Sequence, residues 1–213
     1  MTAEPSPAME SLEALIRARL LPLDAYDPLE RRVHGALARE PEDWPRPAVP
    51  LQPAAVLAPL VERPEGLSVL LTRRAEGLRR HAGQIAFPGG RADPGELPWE
   101  TALREAEEEI GLDRGFVRVA GLGDTYDTVT GYSITPVVGF VRPGFELRLH
   151  APEVAEVFEA PFAFLMDPAN HERRVRDFGD GRTRSFYAIE HGERLIWGVT
   201  AGILRMLHHR LFD

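Results

Sequence analysis

A chain of 213 residues with a formal charge of −8 is long enough to bury a sizeable core and suits one domain with terminal elaborations. The acidic balance argues against general nucleic-acid binding, which wants a basic footprint. The absence of cysteine excludes disulfides and thiolate metal sites. All 25 basic residues are Arg, which we read as coding bias before function. No apolar run approaches membrane-spanning length, and the N-terminus lacks the basic-then-apolar order of a secretory signal. The expectation is a cytoplasmic protein with neither a membrane nor a nucleic-acid partner.

In chain order, residues 1–8 read as disordered. From Met9 to Leu20, Leu12, Leu15, Ile16 and Leu20 recur at helical spacing and predict an amphipathic helix. A second short helix is expected from Pro28 to about Arg39, entered through Asp27 as a cap. Pro41, Pro45, Pro47, Pro50 and Pro53 then mark an extended connector. Residues 1–50 thus form a helical extension and 51–213 the main domain. The extension has three roles open to it: packing on the core, contributing to a homodimer, or shaping one wall of a site.

Ala54 to Val61 and Leu67 to Thr72 are apolar, β-favouring runs around the turn-rich ERPEG, and predict adjacent strands. Arg73, Arg74, Arg79, Arg80 and His81 follow, just before Phe87-Pro88-Gly89-Gly90. Such a cluster serves either solubility or, before a carboxylate-rich helix, bidentate contact with phosphate oxygens. The glycines make a turn, or let backbone approach a ligand closely.

The helix itself is predicted between Pro98, which suits a first turn, and Gly111, a natural stop. Trp99, Ala102, Leu103, Ala106 and Ile110 make its core stripe. At about 100° per residue, Glu105 and Glu109 lie roughly 40° apart at the stripe's edge, while Glu107 points away. Glu108 and Glu109 oppose the helix dipole in the last turn, and Glu105 and Glu109 are a like-charge i,i+4 pair. A hard divalent cation with oxygen ligands would reverse both penalties. From the helix alone, a wet acidic face and a metal site are both open.

Further on, Val117 to Tyr126 and Tyr132 to Val141 are strand-like and separated by DTVTG. Glu153 to Leu165 is a mixed segment ending in a short helix. Ser185 to Glu190 and Arg194 to Trp197 read as a hairpin around His191-Gly192. Thr200 to Leu211 closes as a helix with Ile203, Leu204, Leu207 and Leu211 inward. Strands interleaved with helices suggest a mixed sheet between helical layers.

Gly90, five residues, Glu96, seven residues, then Arg104-Glu105-Ala106-Glu107-Glu108-Glu109-Ile110-Gly111-Leu112 resembles the Nudix hydrolase signature, a box over residues 90–112. Leu70-Leu71-Thr72-Arg73 and Leu78 through Gly90 are similar to the upstream signature of the coenzyme A pyrophosphatase subfamily. So are Tyr132 to Gly139 and Ile196 to Ala201. The resemblance covers roughly residues 53–210.

It implies an α/β/α sandwich with a mixed β-sheet, and a substrate that is coenzyme A or an acyl derivative. The implied products are 4′-phosphopantetheine and adenosine 3′,5′-bisphosphate. Mg2+ or Mn2+ would be held by Glu105 and Glu109, assisted by Glu108 and a carbonyl at Gly90. Glu96 and Arg104 resemble the family's structural ion pair. The general base lies either in the box or on a later loop, leaving Glu105, Glu108, Glu153 and Glu156 as candidates. Arg73, Arg79, His81 and Gln84 are the expected substrate contacts. Competing readings are a pyrophosphatase of ADP-ribose, dinucleotides or nucleoside triphosphates, and a non-catalytic nucleotide- or partner-binding module.

Overall fold

The computed structural model describes residues 7–28, 50–78, 81–177 and 183–213. The second N-terminal helix expected after Pro28, most of the proline connector and Arg79 and Arg80 therefore lie outside the described residues.

Two long apolar runs dictate the centre. Strand β1 (Gln52–Arg63) turns at Pro64-Glu65 into β2 (Gly66–Arg74), with antiparallel register Leu60↔Val69 and Arg63↔Gly66. The two strands then part. Strands β3 (Ile85–Ala86) and β4 (Gly89–Arg91) fill the fork, β3 on β2 and β4 on β1, so that Gly90 pairs with Ala55. Leu57 donates its N–H to Pro88 O at 2.8 Å. By strand periodicity the Pro59 nitrogen faces that same edge, at the crotch of the fork, where its missing N–H interrupts no pairing.

Beyond the fork, α2 (Pro98–Ile110) crosses the sheet. Strands β5 (Val117–Leu122), β6 (Tyr126–Asp127) and β7 (Tyr132–Val141) follow. β7 runs parallel to β1 from Gln52↔Tyr132 to Val61↔Val141, while β5 and β6 pair antiparallel with β7. β8 (Val154–Pro161) lies antiparallel on the other edge of β2. Among the described residues this is an eight-stranded mixed sheet. A three-stranded antiparallel sheet is built from β9 (Glu172–Asp177), β10 (Thr183–His191) and β11 (Arg194–Trp197).

Alternation along the strands separates two cores. On one face Ala55, Leu57, Val61, Leu70, Val137 and Val141 pack with Ala102, Ala106 and Ile110 of α2. On the other, Ala58, Leu60, Val69, Leu71, Val138 and Phe140 meet three helical elements. These are α1 (Pro7–Arg19), the short α3 (Phe162–Leu165) and α4 (Val199–Phe212), joined there by Ile189 and Ile196 of the smaller sheet. The result is a mixed sheet between helical layers, as expected.

Two details depart from the strand and loop expectations. The run Val117 to Tyr126 is broken into β5 and β6 just after Leu122, which pairs with Val137 on one edge and with Leu21 of the N-terminal segment on the other. Gly121 permits this: a Cβ on it would lie 2.7 Å from Leu20 Cβ and 2.8 Å from Leu21 O. The N-terminal helix is thereby part of the core, with Ile16 fully buried. β9 was not anticipated, since its ERRVRD sequence has neither apolar alternation nor burial.

Candidate active site

Helix α2 is set in place at both ends before its acids are considered. Pro98 occupies the first turn and Glu100 Oε2 accepts the Leu97 N–H at 2.9 Å, one half of a capping box. Gly111, at φ 66°, ends the helix in the left-handed region. The last carbonyls are taken up by a later loop: Arg148 N–H donates to Ile110 O and His150 N–H to Glu109 O, each at 2.8 Å.

The acidic residues then divide as helical phase dictates. Glu107 points outward and is held by Arg114 at 2.8 Å. Glu108 is exposed, its nearest charge Arg104 at 3.3 Å. Glu109 is only 5% exposed, and its Oε2 accepts the Gly89 N–H at 3.1 Å. Burial pushes its carboxyl up to about 7, against the pull of that N–H and of Arg74. The Glu105 carboxyl is raised too, chiefly by burial, with Arg104 opposing and the charges of Glu108 and Glu153 adding.

The fork brings backbone to these carboxylates. A Cβ on Gly90 would lie 2.5 Å from Glu105 Cδ, and one on Gly89 would lie 2.4 Å from Ala55 O. Glycine is what allows the loop to lie against both helix and sheet. Arg104 ties the whole together. Its Nε and Nη2 hold Glu96 at 2.7 and 2.9 Å, Nη2 also reaches Arg91 O at 3.1 Å, and Nη1 reaches Glu105 at 2.9 Å. Hydrogen bonding from Arg104 pulls the Glu96 carboxyl down to about 2.

The Arg-rich stretch is sorted by the sheet. Arg73 has the strand parity of Val69 and Leu71 and faces away from α2. There its Nε donates to Glu156 at 2.9 Å, and Arg194 of β11 holds the same carboxylate. These partners, Arg194 first, keep the Glu156 carboxyl below its ordinary range. Arg74, with the strand parity of Leu70, faces α2 instead, and its Nη1 lies 4.0 Å from Glu109 Oε1. The loop after Arg74 is pinned back on it, Gly83 N–H to Arg74 O and Arg74 N–H to Gln84 O. His81 and Gln84, in side-chain contact at 2.9 Å, therefore stand beside the arginine.

Of the residues expected at the site, Gly90, Glu96, Arg104, Glu105, Glu108 and Glu109 come together around α2. Glu153 lies near enough for its charge to raise the Glu105 and Glu109 carboxyls. Arg73 and Glu156 are not brought there; they satisfy each other on the opposite face. Arg79 lies outside the described residues. Arg74 is the residue that reading the sequence undervalued, and strand parity with Leu70 was the signal for it.

Among the described residues, no three His, Asp or Glu side chains are gathered closely enough to hold a metal by themselves. The donor chemistry nonetheless suits a hard cation: two partly or fully buried carboxylates one helical turn apart, backed by a glycine backbone that no Cβ obstructs. With Arg74 beside them, the arrangement can take a cation and phosphate oxygens together.

Comparison with known proteins identifies the family. Residues 51–178 match the sequence profile of the NUDIX domain. The Nudix hydrolase NudL of Escherichia coli (strain K12 / DH10B) is 41% identical over 155 residues, 72% of this chain and 80% of that protein. The NudL of Shigella boydii serotype 18 gives the same figures. Among solved structures, RenU, a Nudix hydrolase from M. smegmatis, is 25% identical over 56% of this chain and 76% of that one, with a TM-score of 0.47. A profile match that takes in the large sheet and its acidic helix, with relatives at this identity over most of both chains, places the chain in the Nudix hydrolase family.

Proposed function

We propose that the chain is a Mg2+- or Mn2+-dependent hydrolase that cleaves the pyrophosphate of coenzyme A or an acyl derivative. The products are 4′-phosphopantetheine, or its acyl form, and adenosine 3′,5′-bisphosphate. The observation that carries the reading is the buried Glu109 carboxylate beside Glu105, with the Gly89-Gly90 backbone on one side and Arg74 on the other.

Glu105 and Glu109 would hold the cation, with Glu108 and the Gly90 carbonyl completing the set. The bound cation supplies charge neutralisation on the phosphate oxygens and an acidified water. Arg104, fixed by Glu96, holds Glu105 in place and keeps the loop against the helix. Glu153 is the base we favour, because it is half-exposed on the face of the carboxylate pair. Glu156 is occupied by two arginines and serves structure. His81, Gln84 and Arg79 belong to the substrate side, and Arg73 is the weakest of the expected contacts.

The sequence from Leu78 to Gln84, whose last two residues Gly83 and Gln84 hydrogen-bond to the Arg74 backbone, supports coenzyme A over ADP-ribose, dinucleotides and nucleoside triphosphates. The complete carboxylate set argues against a non-catalytic module. The test is product analysis with Mg2+ or Mn2+ and a panel of coenzyme A, ADP-ribose and diadenosine polyphosphates. Release of adenosine 3′,5′-bisphosphate from coenzyme A is the expected result. Cleavage of the other substrates alone would move the assignment to the second reading, and cleavage of none would favour a binding module.

A further inference from the structure

Arg74 has an unusual set of surroundings. Its backbone is fixed on both sides, N–H to Gln84 O and C=O from Gly83 N–H. Its side chain is 29% exposed and reaches Glu109 Oε1 only at 4.0 Å, an ion pair without a hydrogen bond. Its Nε is buried and has no hydrogen-bond partner among the described residues. Two other arginines at α2 close on their carboxylates with hydrogen bonds: Arg104 employs Nε, Nη1 and Nη2, and Arg114 meets Glu107 with Nε and Nη2. Arg74 is held near a buried acid without being spent on it.

The charge arithmetic explains why it is there. A carboxylate as buried as Glu109 needs compensation to stay ionised, and here one N–H and one distant guanidinium provide it. A divalent ion on Glu109 would supply that compensation itself and would repel Arg74. The guanidinium would then stand beside the ion with its donors free, in the fork geometry that phosphate oxygens accept.

We propose that Arg74 is an exchangeable counter-charge: it balances Glu109 when no metal is bound, and is released to the diphosphate of the substrate when a divalent ion takes its place. This rests on the metal-dependent reading above. It makes Arg74 a competitor of the metal and a partner of the phosphates, two roles with opposite signs on binding.

The test is calorimetric, on the full chain, for wild type, Arg74→Ala, Arg74→Lys, Glu109→Gln and the Glu109→Gln/Arg74→Ala double variant. Mg2+ is titrated at alkaline pH, so that protons do not compete for the buried carboxylate. ADP is then titrated at saturating Mg2+. Arg74→Ala should bind Mg2+ about fivefold more tightly or better, and ADP about fivefold more weakly or worse, the lower end of site-to-site coupling. Arg74→Lys, which keeps the charge, should retain the wild-type Mg2+ affinity and guards against a folding defect in the alanine variant. In the Glu109→Gln background the alanine change should leave Mg2+ binding unaltered.

Unchanged or weaker Mg2+ binding by folded Arg74→Ala overturns the counter-charge, while Mg2+ binding by wild type that Glu109→Gln weakens leaves the metal reading standing. Unaltered ADP binding overturns the release to phosphate. If wild type itself binds no Mg2+, both the proposal and the reading beneath it fall.

Discussion

Arg104 and Glu96 meet as a two-pronged pair across the entry to helix α2, Nε to Oε1 at 2.7 Å and Nη2 to Oε2 at 2.9 Å. The same Glu96 Oε2 accepts the Asp93 N–H and the Thr101 hydroxyl, each at 2.9 Å. One carboxylate thus joins the loop that leaves the fork to the helix that carries the acids.

This pair gives the stability a definite pH dependence. The Glu96 carboxyl lies at about 2 in the folded chain against an ordinary 4.5. An acid lowered by folding contributes stability that is complete above its unfolded value and is lost as pH falls through the folded one. Glu96→Gln should melt below wild type near neutral pH, and the gap should close between about pH 4.5 and about pH 2. Melting curves by circular dichroism across that window decide it. A gap that persists undiminished at the acid end would assign the loss to packing instead of charge.

Glu105→Gln and Glu109→Gln should each lower kcat roughly a hundredfold or more at saturating metal, the scale of one phosphate-bridging charge interaction. Both variants should keep a wild-type circular dichroism spectrum. Glu107→Gln should be nearly silent, because that side chain faces solvent and Arg114. Steady-state kinetics on the three purified variants makes the comparison, and a comparable loss in Glu107→Gln would refute the metal-ligand assignment.

The two glycines of the loop should fail in different ways. On Gly89 a Cβ meets the Ala55 backbone at 2.4 Å and Val56 Cα at 2.6 Å, which cannot move without parting the sheet. Gly89→Ala should cost roughly 1–3 kcal/mol of stability, as overpacking does. On Gly90 the obstacle is the far end of Glu105, which can swing away. Gly90→Ala should therefore melt close to wild type while losing most of its activity. Urea titration and turnover, measured on both variants, test the pair; equal destabilisation would mean that Glu105 is held more rigidly than its contacts imply.

Metal and stability should be linked through the same acids. An ion that binds only the folded chain stabilises it by about 2.7 kcal/mol at a hundredfold excess over Kd. The Tm should rise with Mg2+ or Mn2+, and the increment should shrink in Glu109→Gln. Without metal, that variant should melt above wild type, because a buried and repelled carboxylate has gone. Scans in EDTA and in saturating Mg2+ read both effects, and an undiminished increment in Glu109→Gln removes it from the ligand set.

What the sequence disclosed was mainly what is local. The phase of α2 followed from its apolar spacing, so that buried Ala102, Ala106 and Ile110 and outward Glu107 stand where periodicity put them. The hairpin of β10 and β11 and the closing helix were legible for the same reason. The division of labour between Arg73 and Arg74 was not. Alternation sets the two on opposite faces, but the strand itself does not tell which face carries Glu156, a partner 83 residues away that Arg73 meets only once β8 has paired. The fork was hidden too, since no local pattern announces that Gly89 and Gly90 will be inserted between two strands already read as neighbours.

The parallel pairing of β1 with β7 has a kinetic side. Everything from the fork through the acidic helix lies in the stretch between Gln52 and Tyr132, the first partners of that ladder. Closing so long a segment carries an entropic cost before any contact repays it, and non-local pairing of this kind is slow. A nascent chain that ends before Tyr132 contains every residue of the box but lacks a strand of the sheet on which α2 rests. Acquisition of metal affinity during refolding should accordingly track completion of the β1–β7 ladder, and lag behind the first appearance of helix.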